Sequence, residues 1–104
     1  MYIDFQVGNY VAFEGRFYKI INIWNNNKGK TCYEIEDLLN ANRIELCYYQ
    51  LEYISIDPYV NNIINLQYGT NVATAFLYND SCNYIHELQN IYKSLYNKDL
   101  YFPL

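Results

Sequence analysis

The chain has 104 residues, 52% of them apolar and 17% charged, with a net charge of −4. That length suits one domain with enough apolar surface for a core. The acidic balance argues against a general nucleic-acid binder, because phosphate contact relies on Lys and Arg.

Tyrosine occurs 14 times, and Asn and Ile are also abundant. Codon bias in an AT-rich gene accounts for part of this, so a tyrosine is not by itself a ligand contact. The opening "MYIDFQVGNY" has neither a basic nor an apolar leader region. No apolar run approaches the roughly 20 residues of a membrane helix. The expectation is a cytosolic chain without a membrane partner.

The first half reads as short strands. "VGNYVAF" is followed by a Glu14-Gly15 turn. "RFYKIINIW" alternates, with Phe17, Lys19 and Ile21 on one face and Tyr18, Ile20 and Asn22 on the other. "NNNKGK" interrupts. "TCYEIED" sets Cys32, Glu34 and Glu36 against Tyr33 and Ile35. "LLNAN" turns the chain, and "RIELC" points Ile44 and Leu46 inward. "YYQLEYISI" ends this half, with a helical turn at Tyr48–Gln50 before Leu51–Ile54. Five short strands predict a small SH3-like β-barrel or roll, with a meander without closure as the alternative, and such a sheet needs a covering layer.

"DPYVNNIINLQYG" predicts a helix capped by Asp57, with Pro58 in the first turn and Gly69 at its end. Val72–Tyr78 is ambiguous by pattern; being short and bounded by Gly69 and Asn79-Asp80, it is expected to be one further strand. Asn79–Cys82 offers capping residues to a last helix, in which Tyr84, Leu88, Ile91 and Leu95 form a core-facing stripe widened by Ile85 and Tyr92. Glu87, Asn90 and Ser94 are expected to face water, and Asn97 to end the helix in a left-handed conformation. The reading is therefore a single α+β domain, 1–104. Its β-barrel-like half is 1–56 and its helical half 57–104, with the barrel packed against the C-terminal helix.

The stretch "YIHELQNIYKSLYNKDL" resembles the C-terminal pattern of an uncharacterised family of small proteins from phages and prophages of Bacteroidetes. Tyr84, Ile85, His86, Leu88, Gln89, Asn90, Ile91, Tyr92, Leu95 and Leu100 carry the resemblance. Where that family has Thr-Gly after the helix, this chain has Tyr96-Asn97. "VGNYVAFEGRFYKI" is similar to the family's opening, while the centre from about Ile56 to Asn83 departs from it. The resemblance implies a phage accessory protein in the host bacterial cytoplasm and carries no catalytic residues.

Candidate sites are few. Cys32, Cys47 and Cys82 include no CxxC pair, and one histidine cannot complete a zinc set, so no metal or other cofactor is expected. His86 lacks a nucleophile and an orienting carboxylate, and is expected to anchor the helix. Gln89 and Asn90 are expected to help it do so. "NNNKGKT" lacks the first Gly of a phosphate loop, leaving Lys28 and Lys30 as an anion contact.

Trp24 and Tyr18 are candidate recognition rings. Glu34 and Glu36 share a strand face in Thr31–Asp57, where six acids accompany one base, Arg43. Together with the phage setting that the resemblance implies, these residues lead to the expectation of a non-catalytic protein that binds a basic host or phage protein, with inhibition of a bacterial defence system as its suggested role. The alternative is a sponge that holds a nucleotide messenger in an aromatic pocket, with a homo-oligomer interface as one location. An enzyme is the least supported reading.

Overall fold

In the computed structural model, residues 5–47, 51–56 and 83–100 are described. The chain divides into two compact units, Met1–Ile54 and Ser55–Leu104. It belongs to the α+β class, with a four-stranded antiparallel sheet and a C-terminal helix.

The strands are β1 (Tyr10–Phe13), β2 (Arg16–Asn25), β3 (Thr31–Asp37) and β4 (Arg43–Cys47), in the order β1-β2-β3-β4. Glu14 and Gly15 both have positive φ, 49° and 75°. Two such residues make the turn whose twist matches a hairpin. They join Phe13 to its partner Arg16. The β2–β3 loop is organised by Asn26, whose Oδ1 accepts the backbone N–H groups of Lys28 (2.9 Å) and Lys30 (3.0 Å). Gly29, at φ 75°, supplies the left-handed residue.

The core of this unit is Val11, Tyr18, Ile20, Tyr33, Ile35 and Leu51, flanked by Phe5, Phe13, Ile23, Ile44 and Leu46. Ile44 and Leu46 thus face inward as expected. Ile23 does so because β2 is irregular: Ile20 pairs with Ile35, but Asn22 pairs with Glu34. One extra residue, Ile21, reverses the alternation. Strict alternation along β2 assigned Asn22 to the face of Tyr18 and Ile20. The bulge instead brings in Ile23 and turns Trp24 outward.

The fifth expected strand is reduced to one bridge. Glu52 pairs with Ala12, exchanging backbone hydrogen bonds of 2.9 and 2.8 Å. This return of the chain to β1 is what an SH3-like roll requires. Phe5 sits edge-on to Tyr33 and Tyr53, with ring centroids 5.9 and 5.4 Å away. The turn proposed for Tyr48–Gln50, the helix from Asp57, the strand Val72–Tyr78 and the capping segment Asn79–Cys82 lie outside the described residues.

In the second unit, Ser55 bridges Tyr84 and the Ile56 N–H donates to the Asn83 carbonyl at 3.0 Å. Helix α1 (Ile85–Tyr96) follows. Its N-terminal support comes from within. Glu87 Oε1 accepts the N–H groups of Asn83 (3.0 Å) and Tyr84 (3.1 Å), which is half of a capping box. Asn97 closes the helix at φ 54°, as expected, with its N–H on the Lys93 carbonyl.

The face assignment needs correction. Ile85, His86, Glu87, Leu88 and Gln89 are all buried, whereas Leu95 is 52% exposed. Burial follows position along the axis. The first turns are enclosed on every side, so Glu87 is buried and serves as a cap, while the last turns meet solvent.

Candidate functional site

The outer face of β2–β4 gathers the chemistry that remains exposed. The register places three rows across it. Lys19 pairs with Glu36 and Glu36 with Arg43; Asn22 pairs with Glu34 and Glu34 with Glu45; Trp24 pairs with Cys32 and Cys32 with Cys47. Side chains of directly paired residues share a face, and diagonal neighbours lie within reach of long or aromatic groups. Trp24, half-buried, is thus the diagonal neighbour of Glu34.

The acidic composition of this region overstates its free charge. Asp37 is 4% exposed and meets the Arg16 Nε at 2.7 Å. Its other oxygen accepts the Leu39 N–H at 2.8 Å. That backbone bond, reinforced by the Arg16 guanidinium, holds the carboxyl below its ordinary range. Glu36 Oε2 lies 3.3 Å from the Arg43 Nε. Glu34 and Glu45 face each other with no cation paired to either among the described residues. Like charges directly opposite are unfavourable. The uncompensated negative charge of the face is therefore centred on Glu34 and Glu45, beside Trp24.

The structure brings together Trp24, Glu34 and Glu36 and separates Tyr18 from them. Tyr18 is 8% exposed, on the core face, with its ring 6.1 Å from Phe13. Its place follows from the alternation of β2 before the bulge. Lys28 and Lys30 are exposed at the loop tip, but their backbone N–H groups are taken by Asn26. The loop offers an anion only two flexible side chains. Glu45 was not singled out from sequence. The hairpin "EIEDLLNANRIE" held the signal, since pairing Ile35 with Ile44 sets Glu34 against Glu45.

His86 is buried and stacks on Tyr84, with ring centroids 6.0 Å apart and planes at 19°. Among the described residues, no group of three or more His, Cys, Asp or Glu could hold a metal ion. No helix among them is long and apolar enough to cross a membrane.

Compared with known proteins, the chain matches no family model, no curated protein and no solved structure.

Proposed function

We propose that this chain is a non-catalytic phage accessory protein that binds a basic segment of a host or phage protein through the outer face of β2–β4. The observation that carries this reading is the Glu34–Glu45 pair, uncompensated among the described residues and diagonal to the half-buried Trp24. An aromatic face attracts ammonium and guanidinium groups, and carboxylates give them charge-assisted hydrogen bonds. A bound Lys or Arg would also relieve the repulsion between the two carboxylates. The phage resemblance of both ends supports a role in the host bacterial cytoplasm, and blocking a defence component is the role we propose there. An anionic nucleotide would meet the same carboxylates, so this face lends no support to a messenger sponge.

The test is binding of Lys- and Arg-rich peptides, measured as association kinetics between roughly 50 and 500 mM salt. Screening over a Debye length of about 8 Å at physiological ionic strength slows steered association. Wild type should lose association rate with salt, Glu34→Lys/Glu45→Lys should lose binding, and Trp24→Ala should weaken it at every salt concentration. Unchanged binding by the charge-reversed protein would remove the proposal.

A further inference from the structure

Cys32 and Cys47 are 15 positions apart in sequence, yet they are direct partners across β3 and β4. Both are free and half-buried. Their pairing class follows from the ladder. The Asp37 N–H donates to the Asn42 carbonyl at 2.8 Å, so those two form a hydrogen-bonded pair. Such pairs alternate along an antiparallel ladder. Asp37–Asn42, Ile35–Ile44 and Tyr33–Leu46 are then of one kind. Glu36–Arg43, Glu34–Glu45 and Cys32–Cys47 are of the other, the closer, non-hydrogen-bonded kind. There the Cα atoms stand about 4.5 Å apart, inside the roughly 4.4–6.8 Å that a disulfide spans. The Cys32 thiol donates to the Lys30 carbonyl at 3.7 Å.

We propose that Cys32 and Cys47 are a built-in redox pair, closing a reversible cross-strand disulfide by exchange with a low-molecular-weight disulfide such as oxidised glutathione. One thiolate attacks a glutathione sulfur, forming a mixed disulfide and releasing one glutathione thiolate. The second protein thiol, on losing its proton, displaces the other glutathione. The protein gives up two electrons and two protons, and one oxidised glutathione becomes two reduced ones. Burial, and then the neighbouring Cys47, push the Cys32 thiol up.

The pair lies in one row with Trp24, the register partner of Cys32 and the only tryptophan of the chain. Closure therefore has a built-in reporter. Any effect of closure on peptide binding rests on the proposed function, whereas the bond itself does not.

The experiment titrates the full chain with oxidised glutathione under denaturing thiol quantification, peptide mapping and tryptophan emission. Free thiols should fall from three to one. Trypsin should then yield the Thr31–Arg43 peptide joined to Ile44–Lys93. Because the second peptide also holds Cys82, the map is repeated on Cys82→Ser, where the same link should persist. Trp24 emission should fall on oxidation and recover with reductant. Cys47→Ser should give only a glutathione adduct. Three persisting thiols, a stable glutathione adduct on Cys32 or Cys47, or a link to Cys82 would each overturn the proposal. These readouts need no ligand, so their failure is distinct from failure of the binding reading.

Discussion

Replacing Glu87 tests how the second unit is held together. Glu87 is 7% exposed, and its carboxylate accepts two backbone N–H groups, from Asn83 and Tyr84, at the start of α1. Glu87→Ala strands both donors. Asn83 is exposed and Tyr84 half-buried, so water can reach these donors and each lost hydrogen bond costs about 0.5–1.5 kcal/mol; loss of a negative charge at a helix N-terminus adds about 0.3–1 kcal/mol. The expected loss is about 1–4 kcal/mol. Glu87→Gln keeps an acceptor and should lose only about 0.5–1 kcal/mol, mostly the charge term. Leu95→Ala is the internal control. Periodicity alone places Leu95 in the core, but its exposure predicts a change within about 0.5 kcal/mol. Leu88→Ala, fully buried, should cost about 2–5 kcal/mol. Urea unfolding followed by far-UV circular dichroism gives all four values. A loss for Glu87→Ala no larger than that for Leu95→Ala would refute the capping role and restore the face-based orientation.

Two further outcomes concern the sheet unit. The Asp37 carboxyl is held below its ordinary range by the Leu39 N–H and Arg16, so its stabilisation is complete above the unfolded-state value of about 3.9 and is lost as pH falls through the folded value. Asp37→Asn should be less stable than wild type at pH 7, with the gap closing below about pH 4; parallel stability curves down to pH 2 would contradict this. Glu52→Pro removes the N–H that donates to the Ala12 carbonyl at 2.8 Å and should destabilise by about 1–3 kcal/mol. Glu52→Ala, which keeps both backbone bonds, should stay within about 0.5 kcal/mol; equal melting temperatures for the two variants would show that the bridge does not close the sheet.

Local chemistry was legible in the sequence wherever one residue decides the conformation. Glu14-Gly15 as a turn, the alternation of β3, the inward Ile44 and Leu46, and Asn97 as the helix stop all depend on near neighbours. The α+β class follows from those elements. Tertiary structure decided what depends on pairing at a distance. The bulge at Ile21 is invisible to alternation, because only the register against β3 shows that one residue is surplus, and it turns Trp24 out and Ile23 in. The charge of the acidic stretch was misread from composition, since Arg16, outside that stretch, neutralises Asp37. Tyr18 and Trp24 looked alike as aromatic residues of one strand until the sheet gave them opposite faces. In α1 the 3.6-residue period located the helix. It could not show that the first turns are buried all round, because burial there is set by what surrounds the helix and not by the spacing of its own side chains. The Cys32–Cys47 pair is the clearest case: cysteines 15 positions apart become neighbours only when the β3–β4 turn fixes the register.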